Sequence, residues 1–192
     1  KIKPILIIIF IFSPFTLEMI RLVQNDWIAL LGIFMPPAVG LFFIAIKPQV
    51  FGLIALIWVL EAWQIGGLRQ VARTFAPVTS VMLLSFLLYG FWPLQATRLV
   101  DGVNWNASLF PASIPIGLAL LVPALRDKNK TLAITSTLLL SPYVAYTSWP
   151  FALLGALPSS WGFFVAIAGS WIVYFINNSY FFHIVGGSLP LR

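Results

Sequence analysis

The sequence predicts an all-α protein: a polytopic transmembrane helical bundle of about six or seven segments, several of them broken or half-length. Three observations lead there. The 192 residues are 60% hydrophobic and 8% charged, against about 25% charged in an ordinary soluble domain, with a mean hydropathy of +0.99. So few polar residues cannot cover a water-facing surface, and most of the chain is expected to face hydrocarbon. The apolar residues fall in runs separated by short polar joints, and prolines stand inside several runs, where a straight helix does not accept them. Residues 1–192 read as one transmembrane domain, without a soluble domain, an internal repeat or a low-complexity tract.

The first run, residues 4–17, follows Lys1 and Lys3 and has the charge and apolar core of a signal peptide. Ser13 and Pro14 stand where a small-residue cleavage site belongs, so the run is expected to be a retained membrane segment. A polar cluster at 21–26 precedes the apolar run 27–46, which Pro36 and Pro37 must kink or split into two half-helices. Run 50–63 follows, then a polar connection at 61–73 and a clean span at 76–92. A long polar loop, 93–110, carries Arg98, Asp101, Asn104 and Asn106. Beyond it come a proline-rich span at 110–125, a basic loop at 126–130, a span at 132–149 containing Ser141 and Pro142, apolar pieces at 151–157 and 161–176, and a mixed tail.

The net charge is +6, and its cations sit in the short joints. The loops 66–73 and 126–130 hold Arg69, Arg73, Arg126, Lys128 and Lys130, and are expected on the cytoplasmic side of a bacterial inner membrane. Loop 93–110 then lies outside, with Trp92, Trp105 and Phe110 in the interfacial belt. No basic patch with interleaved aromatics occurs, so nucleic acid is not an expected partner; membrane lipid is. There is no cysteine and one histidine, His183, which removes disulfides, thiolate chemistry and two-histidine metal motifs. No metal or cofactor is expected; His183 reads as an interfacial residue, with ligation of a pigment or haem as its alternative. Asn106 opens a glycosylation sequon, which matters only in a glycosylating organism.

Two polar clusters stand out. Gln24, Asn25 and Asp26 flank one end of run 27–46, and Lys47, Pro48 and Gln49 flank the other. If the run folds back at its prolines, the clusters meet. A charge at mid-membrane costs roughly 2.5–3.5 kcal/mol, so Lys47 needs a reason. Either it holds an anion such as a phosphate beside a freed helix end, or it snorkels to an interface with Asp26 as counter-ion or cap. The carboxylates outside the basic loops are Glu18, Asp26, Glu61 and Asp101. No spacing sets two of them on one helical face, so acid–base chemistry is not readable and the catalytic residue is unknown.

The stretches RLVQNDWIALLG (21–32), GLFFIAIKPQVFGL (40–53) and LLLSPY (138–143) together resemble the polyprenyl-phosphate-sugar-dependent membrane glycosyltransferases of the GT-C superfamily, particularly the mannosyltransferase-like family 87. The resemblance runs over about residues 13–160 and covers the C-terminal half of such an enzyme. It implies a GT-C-like fold, a lipid-phosphate-sugar ligand, and Gln24, Asn25, Lys47 and Gln49 in the lipid-phosphate or sugar cavity. Asp26, in the same cluster, and Tyr143, the aromatic after Ser-Pro, complete the candidate substrate-binding set. Val23 stands where the family has glycine. The family's catalytic aspartate belongs to the first outer loop of the missing half, so no catalytic residue is carried over. The alternative is a non-catalytic transmembrane subunit of a larger respiratory or photosynthetic complex; a small transporter, a third reading, would need an inverted repeat that is not seen.

Overall fold

The computed structural model describes residues 4–94, 106–156 and 160–186. Arg98, Asp101, Asn104 and Trp105, the tail from residue 187, and the side chain of His183 lie outside this description. The described residues are all-α, their one strand-like feature being an isolated bridge between Asn106 and Ala145.

The chain opens with α1 (Pro4–Ile11) and α2 (Pro14–Arg21), bent by 56° to each other. Pro14 lacks the N–H that a continuous helix needs, so the chain restarts there. Ser13 makes the restart stable: its hydroxyl donates to Thr16 Oγ1 at 2.8 Å and caps the backbone N–H of Thr16 at 3.4 Å. The expected single first segment is therefore a bent pair.

Run 27–46 splits and folds back. It forms α3 (Asp26–Leu31), a 3-10 turn (Gly32–Phe34) and α4 (Pro37–Ile44). Its two limbs touch through glycines: a Cβ on Gly40 would lie 2.3 Å from the Gly32 carbonyl oxygen and 2.6 Å from Trp58. Only a residue without a side chain fits that approach. The run begins and ends at the same end of the bundle.

The longest helix is α5 (Pro48–Tyr89), 42 residues interrupted at Gly66 and Gly67. Gly67 has φ 58° and ψ −149°, a region essentially reserved for glycine. Straight, the helix would set Ile54 and Val78 about 36 Å apart at 1.5 Å per residue; instead Phe75 and Val78 pack against the core of Phe51, Ile54 and Trp58. Helix α5 is a hairpin whose turn is two residues long. The polar connection expected over 61–73 is a correction: Glu61, Gln64, Leu68 and Arg69 favour helix, and only the glycine pair leaves it. Among the described residues, α5 is the one element long and apolar enough to cross a membrane; α1 and α2 would count as a second if taken as one bent span.

Helices α6 (Ile114–Arg126) and α7 (Lys130–Leu140) are shorter than the spans expected there, because Pro115 begins the first and Pro142 stops the second. A 3-10 turn (Tyr146–Ser148), α8 (Pro150–Ala156) and α9 (Ser160–Gly186) are the last described elements. Helix α7 sits at the centre, and its hydroxyls join it to its neighbours. Ser136 donates to the Gly117 carbonyl (2.8 Å), Thr135 to that of Ala152 (3.3 Å), and Thr137 Oγ1 accepts from Leu53 N–H (3.3 Å). Each of these bonds ties α7 to a neighbouring helix. A second core, with Leu6, Phe10, Phe15, Leu153 and Phe163, ties α1, α2, α8 and α9 together.

The basic loop 126–130 lies beside the turn of α5: Lys128 Nζ donates to Gln64 Oε1 at 2.7 Å, two residues before Gly66. The polar clusters Gln24–Asp26 and Lys47–Gln49 lie at the opposite end of α5.

Candidate functional site

The fold-back brings Asp26 and Lys47 together. Lys47 Nζ lies 2.8 Å from Asp26 Oδ1, with the Asp26 side chain fully buried and that of Lys47 15% exposed. Local sequence explains both positions. Asp26 opens α3, where a carboxylate faces the positive end of the helix dipole. Lys47 caps α5 just before Pro48, in a non-helical conformation. A cation at a helix N-terminus is unfavourable alone, and Asp26 offsets it. Ser148, from the turn before α8, donates its hydroxyl to Asp26 Oδ2 at 3.3 Å. Three separate breaks in the helices thus converge on one carboxylate.

None of the other expected residues is bonded to this pair. Gln24 is half-buried, its backbone N–H bonded to the Met19 carbonyl at 3.2 Å. Asn25 is exposed, and its side chain makes no cap bond to α3. Gln49 is half-buried in the first turn of α5. Tyr143 is half-buried in an extended stretch, its N–H bonded to Ser141 Oγ (3.3 Å) and its carbonyl accepting from the same hydroxyl (2.6 Å). Preceding Gln24, Val23 has φ 48°, an uncommon conformation for a β-branched residue.

Sequence reasoning missed three contributors. Ser148 had no spacing signal. Asn106 clamps the stretch after α7: its amide donates to the Pro142 carbonyl (2.9 Å), and its Oδ1 accepts from Val144 and Ser108 N–H (3.1 and 3.0 Å). The sequon asparagine is thus engaged in the fold. Lys130, expected only as a loop cation, donates to the Ile33 carbonyl at 3.0 Å and lies 5.6 Å from the Trp58 ring centre. In a continuous helix that carbonyl would accept the N–H of residue 37, which is proline. Lys130 replaces the missing donor, and a sequence signal exists: a proline pair within an apolar run needs a donor from elsewhere.

Other carboxylates offer little chemistry. Glu18 accepts from Arg21 Nε at 2.7 Å, and Asp127 from Arg126 Nε at 2.8 Å; the Arg126 guanidinium holds the Asp127 carboxyl below its usual range. Glu61 is half-buried at the basic end. Among the described residues no group of acids and histidines could hold a metal ion. What the Asp26–Lys47 pair can do is bind an anion by exchange: the ammonium has three donors and one charged partner, and a phosphate could share it or displace Asp26.

Comparison with protein-family models, with curated proteins and with solved structures finds no match to this chain.

Proposed function

We propose that this chain is an integral membrane protein of about six or seven helical segments that supplies the lipid-phosphate-holding half of a GT-C-like, polyprenyl-phosphate-sugar-dependent glycosyltransferase. It sits in a bacterial inner membrane with the basic segments 66–73, the turn and first helical residues of the second limb of α5, and 126–130 on the cytoplasmic side, and no catalytic base is assigned to it. The observation that carries the reading is Lys47, an ammonium at the mouth of a proline-broken hairpin with one charged partner and a partly open side chain. Helix breaks of this kind are tolerated in membranes where protein buries them or where they line a cavity. The contact of loop 126–130 with the turn of α5, where Arg69 and Arg73 follow, supports the orientation.

The test is binding of a polyprenyl phosphate to the chain in nanodiscs. The double variant Asp26→Asn with Lys47→Gln removes the ammonium without leaving a lone buried charge. Binding at least tenfold weaker than wild type is expected; unchanged binding overturns the assignment. Membrane integration is read separately, by retention of the chain in the membrane pellet after alkaline carbonate.

The closure of Lys47 on Asp26 also favours a second reading, a non-catalytic transmembrane subunit in which the pair is structural. The apolar face of α5 with Val81, Leu84 and Leu87, each more than half exposed, would then pack on another chain. A stoichiometric partner retained through mild-detergent purification is its distinguishing sign.

A further inference from the structure

The groove between α4 and the two limbs of α5 is lined by apolar residues and Thr79, without a charged side chain. The cations of the second limb stand instead at the turn. Arg69 and Arg73 are exposed there, and Lys128 reaches the turn from the loop before α7, its ammonium on Gln64 Oε1 at 2.7 Å. Arg69 and Arg73 are four residues apart on one helical face, a like-charge pair that is unfavourable by itself. Among the described residues none of these three cations has a carboxylate at ion-pair distance. The acids at this end do not balance them: Asp127 is held by Arg126, and Glu61 is half-buried without an ion pair.

The same turn exposes apolar side chains: Trp63, Ile65 and Leu68 are 58%, 77% and 71% exposed. Water suits the cations and not this tip; hydrocarbon suits the tip and not the cations. A bilayer interface takes both, with apolar groups at the acyl boundary and basic groups among the headgroups. The limb lengths agree. Residues 48–65 and 68–89 rise about 27 and 33 Å at 1.5 Å per residue, close to a hydrocarbon core of about 30 Å. A hairpin that crosses such a core turns at the headgroups.

We infer that the turn of α5 is a docking surface for the anionic phospholipids of the leaflet it reaches. Trp63, Ile65 and Leu68 lie at the acyl boundary, a headgroup phosphate bridges Arg69 and Arg73, and Lys128 adds a third charge. A guanidinium fork suits phosphate oxygens, and the phosphate between two such forks removes their repulsion. A net negative head is preferred over a zwitterionic one, whose own ammonium competes for the phosphate. The inference rests on the membrane reading above, and neither on glycosyl transfer nor on Lys47.

The chain has no cysteine, so Ile65→Cys carries a single environment-sensitive fluorophore in nanodiscs of mixed phosphatidylglycerol and phosphatidylcholine. Either lipid is supplied with a nitroxide quencher near the top of its acyl chain, at equal mole fraction. Quenching by the phosphatidylglycerol probe is expected to be at least threefold stronger than by the phosphatidylcholine probe. Raising salt from about 0.1 M to about 1 M, which shortens the screening length from about 10 to about 3 Å, should at least halve that preference. Arg69→Gln with Arg73→Gln and Lys128→Gln should abolish it, while Arg69→Lys with Arg73→Lys, which keeps the charges, should retain at least half. Equal quenching by both probes in the unmodified background overturns the recognition of anionic heads. A preference that survives the three glutamines overturns the residues named. A label that emits as in water and is quenched by neither probe overturns the insertion of the tip; if its emission then shifts on adding polyglutamate, the surface is one for an acidic protein. Release of the chain by alkaline carbonate would instead remove the membrane reading itself.

Discussion

The hairpin of α3 and α4 and the hairpin within α5 make the same move, a helix folded back on itself, by opposite chemistry. The first turns at prolines. Prolines remove backbone donors, so carbonyls are freed inside the bundle and must find partners. Lysines supply the missing charge and donors at both ends: Lys130 at the tip, on Ile33, and Lys47 at the mouth, on Asp26. The second hairpin turns at Gly66 and Gly67, by conformation alone, without a proline. It places no cation between its limbs and leaves an apolar groove there instead. A proline break thus builds a polar site in an apolar chain, whereas a glycine break builds a cleft.

The largest test of this contrast is the ion pair. Removing one partner, by Asp26→Ala or Lys47→Ala, leaves a buried charge uncompensated and is expected to cost about 3–5 kcal/mol. Replacing both, as Asp26→Leu with Lys47→Met, is expected to restore stability to within about 1 kcal/mol of wild type or better, because an apolar pair avoids the desolvation cost. Thermal unfolding of the four proteins in one detergent closes the cycle. Additive single and double changes would mean that the pair is not coupled and that the mouth of the hairpin is not held by charge.

Next come the two turns. In Gly40→Ala the new methyl meets the Gly32 carbonyl oxygen at 2.3 Å, so the limbs must part, at about 1–3 kcal/mol. In Gly67→Ala the methyl has open space around it, and the cost is conformational, about 1–3 kcal/mol. The two should differ in kind. Gly40→Ala should loosen the contact with Trp58 and shift tryptophan fluorescence, whereas Gly67→Ala should change the separation of the α5 limbs, read by spin labels at Thr79 and Leu56.

Smaller again is Lys130→Met. It keeps the apolar stem and removes the donor from the half-buried Ile33 carbonyl, an expected loss of about 1 kcal/mol, since water can reach the acceptor left behind. Hydrogen exchange should report the same event locally, with faster exchange in residues 32–40 and unchanged rates around Gly66.

These contrasts also explain which parts of the structure were legible in the sequence. Apolar runs of helical length between short polar joints point to helices, and the described residues are all-α. The proline pair in run 27–46 requires a break, and the polar clusters at both ends of the run make their meeting readable. The turn at Gly66 was obscured because Glu61, Gln64, Arg69 and Arg73 carry charge and polarity along a stretch that is nonetheless helical; polarity marks a water-facing surface and does not by itself end a helix. Ser148 and Asn106 were invisible for a different reason. Each acts on a segment far away in sequence, 122 and 38 residues in the bonds they make to Asp26 and Val144, and no local period encodes such a pairing.

The smallest effect belongs to Val23, which joins α2 to the candidate site. Its φ of 48° places a β-branched side chain where the backbone crowds Cβ, at roughly 1–2 kcal/mol. Val23 is 88% exposed, so its side chain contributes little packing in return. Val23→Gly should therefore stabilise the protein, against the entropic cost of about 0.4–1 kcal/mol that glycine adds to the unfolded chain. The net gain is expected to lie between zero and about 1.6 kcal/mol, a rise of at most a few degrees in melting temperature for a chain of this length. Val23→Ala separates the causes. Alanine keeps Cβ and loses only the branching, so it should recover part of the gain. If glycine and alanine both destabilise, the positive φ is held by contacts of the valine side chain itself, and the approach of Gln24 and Asn25 to the Asp26–Lys47 pair is set by packing rather than by a tolerated strain.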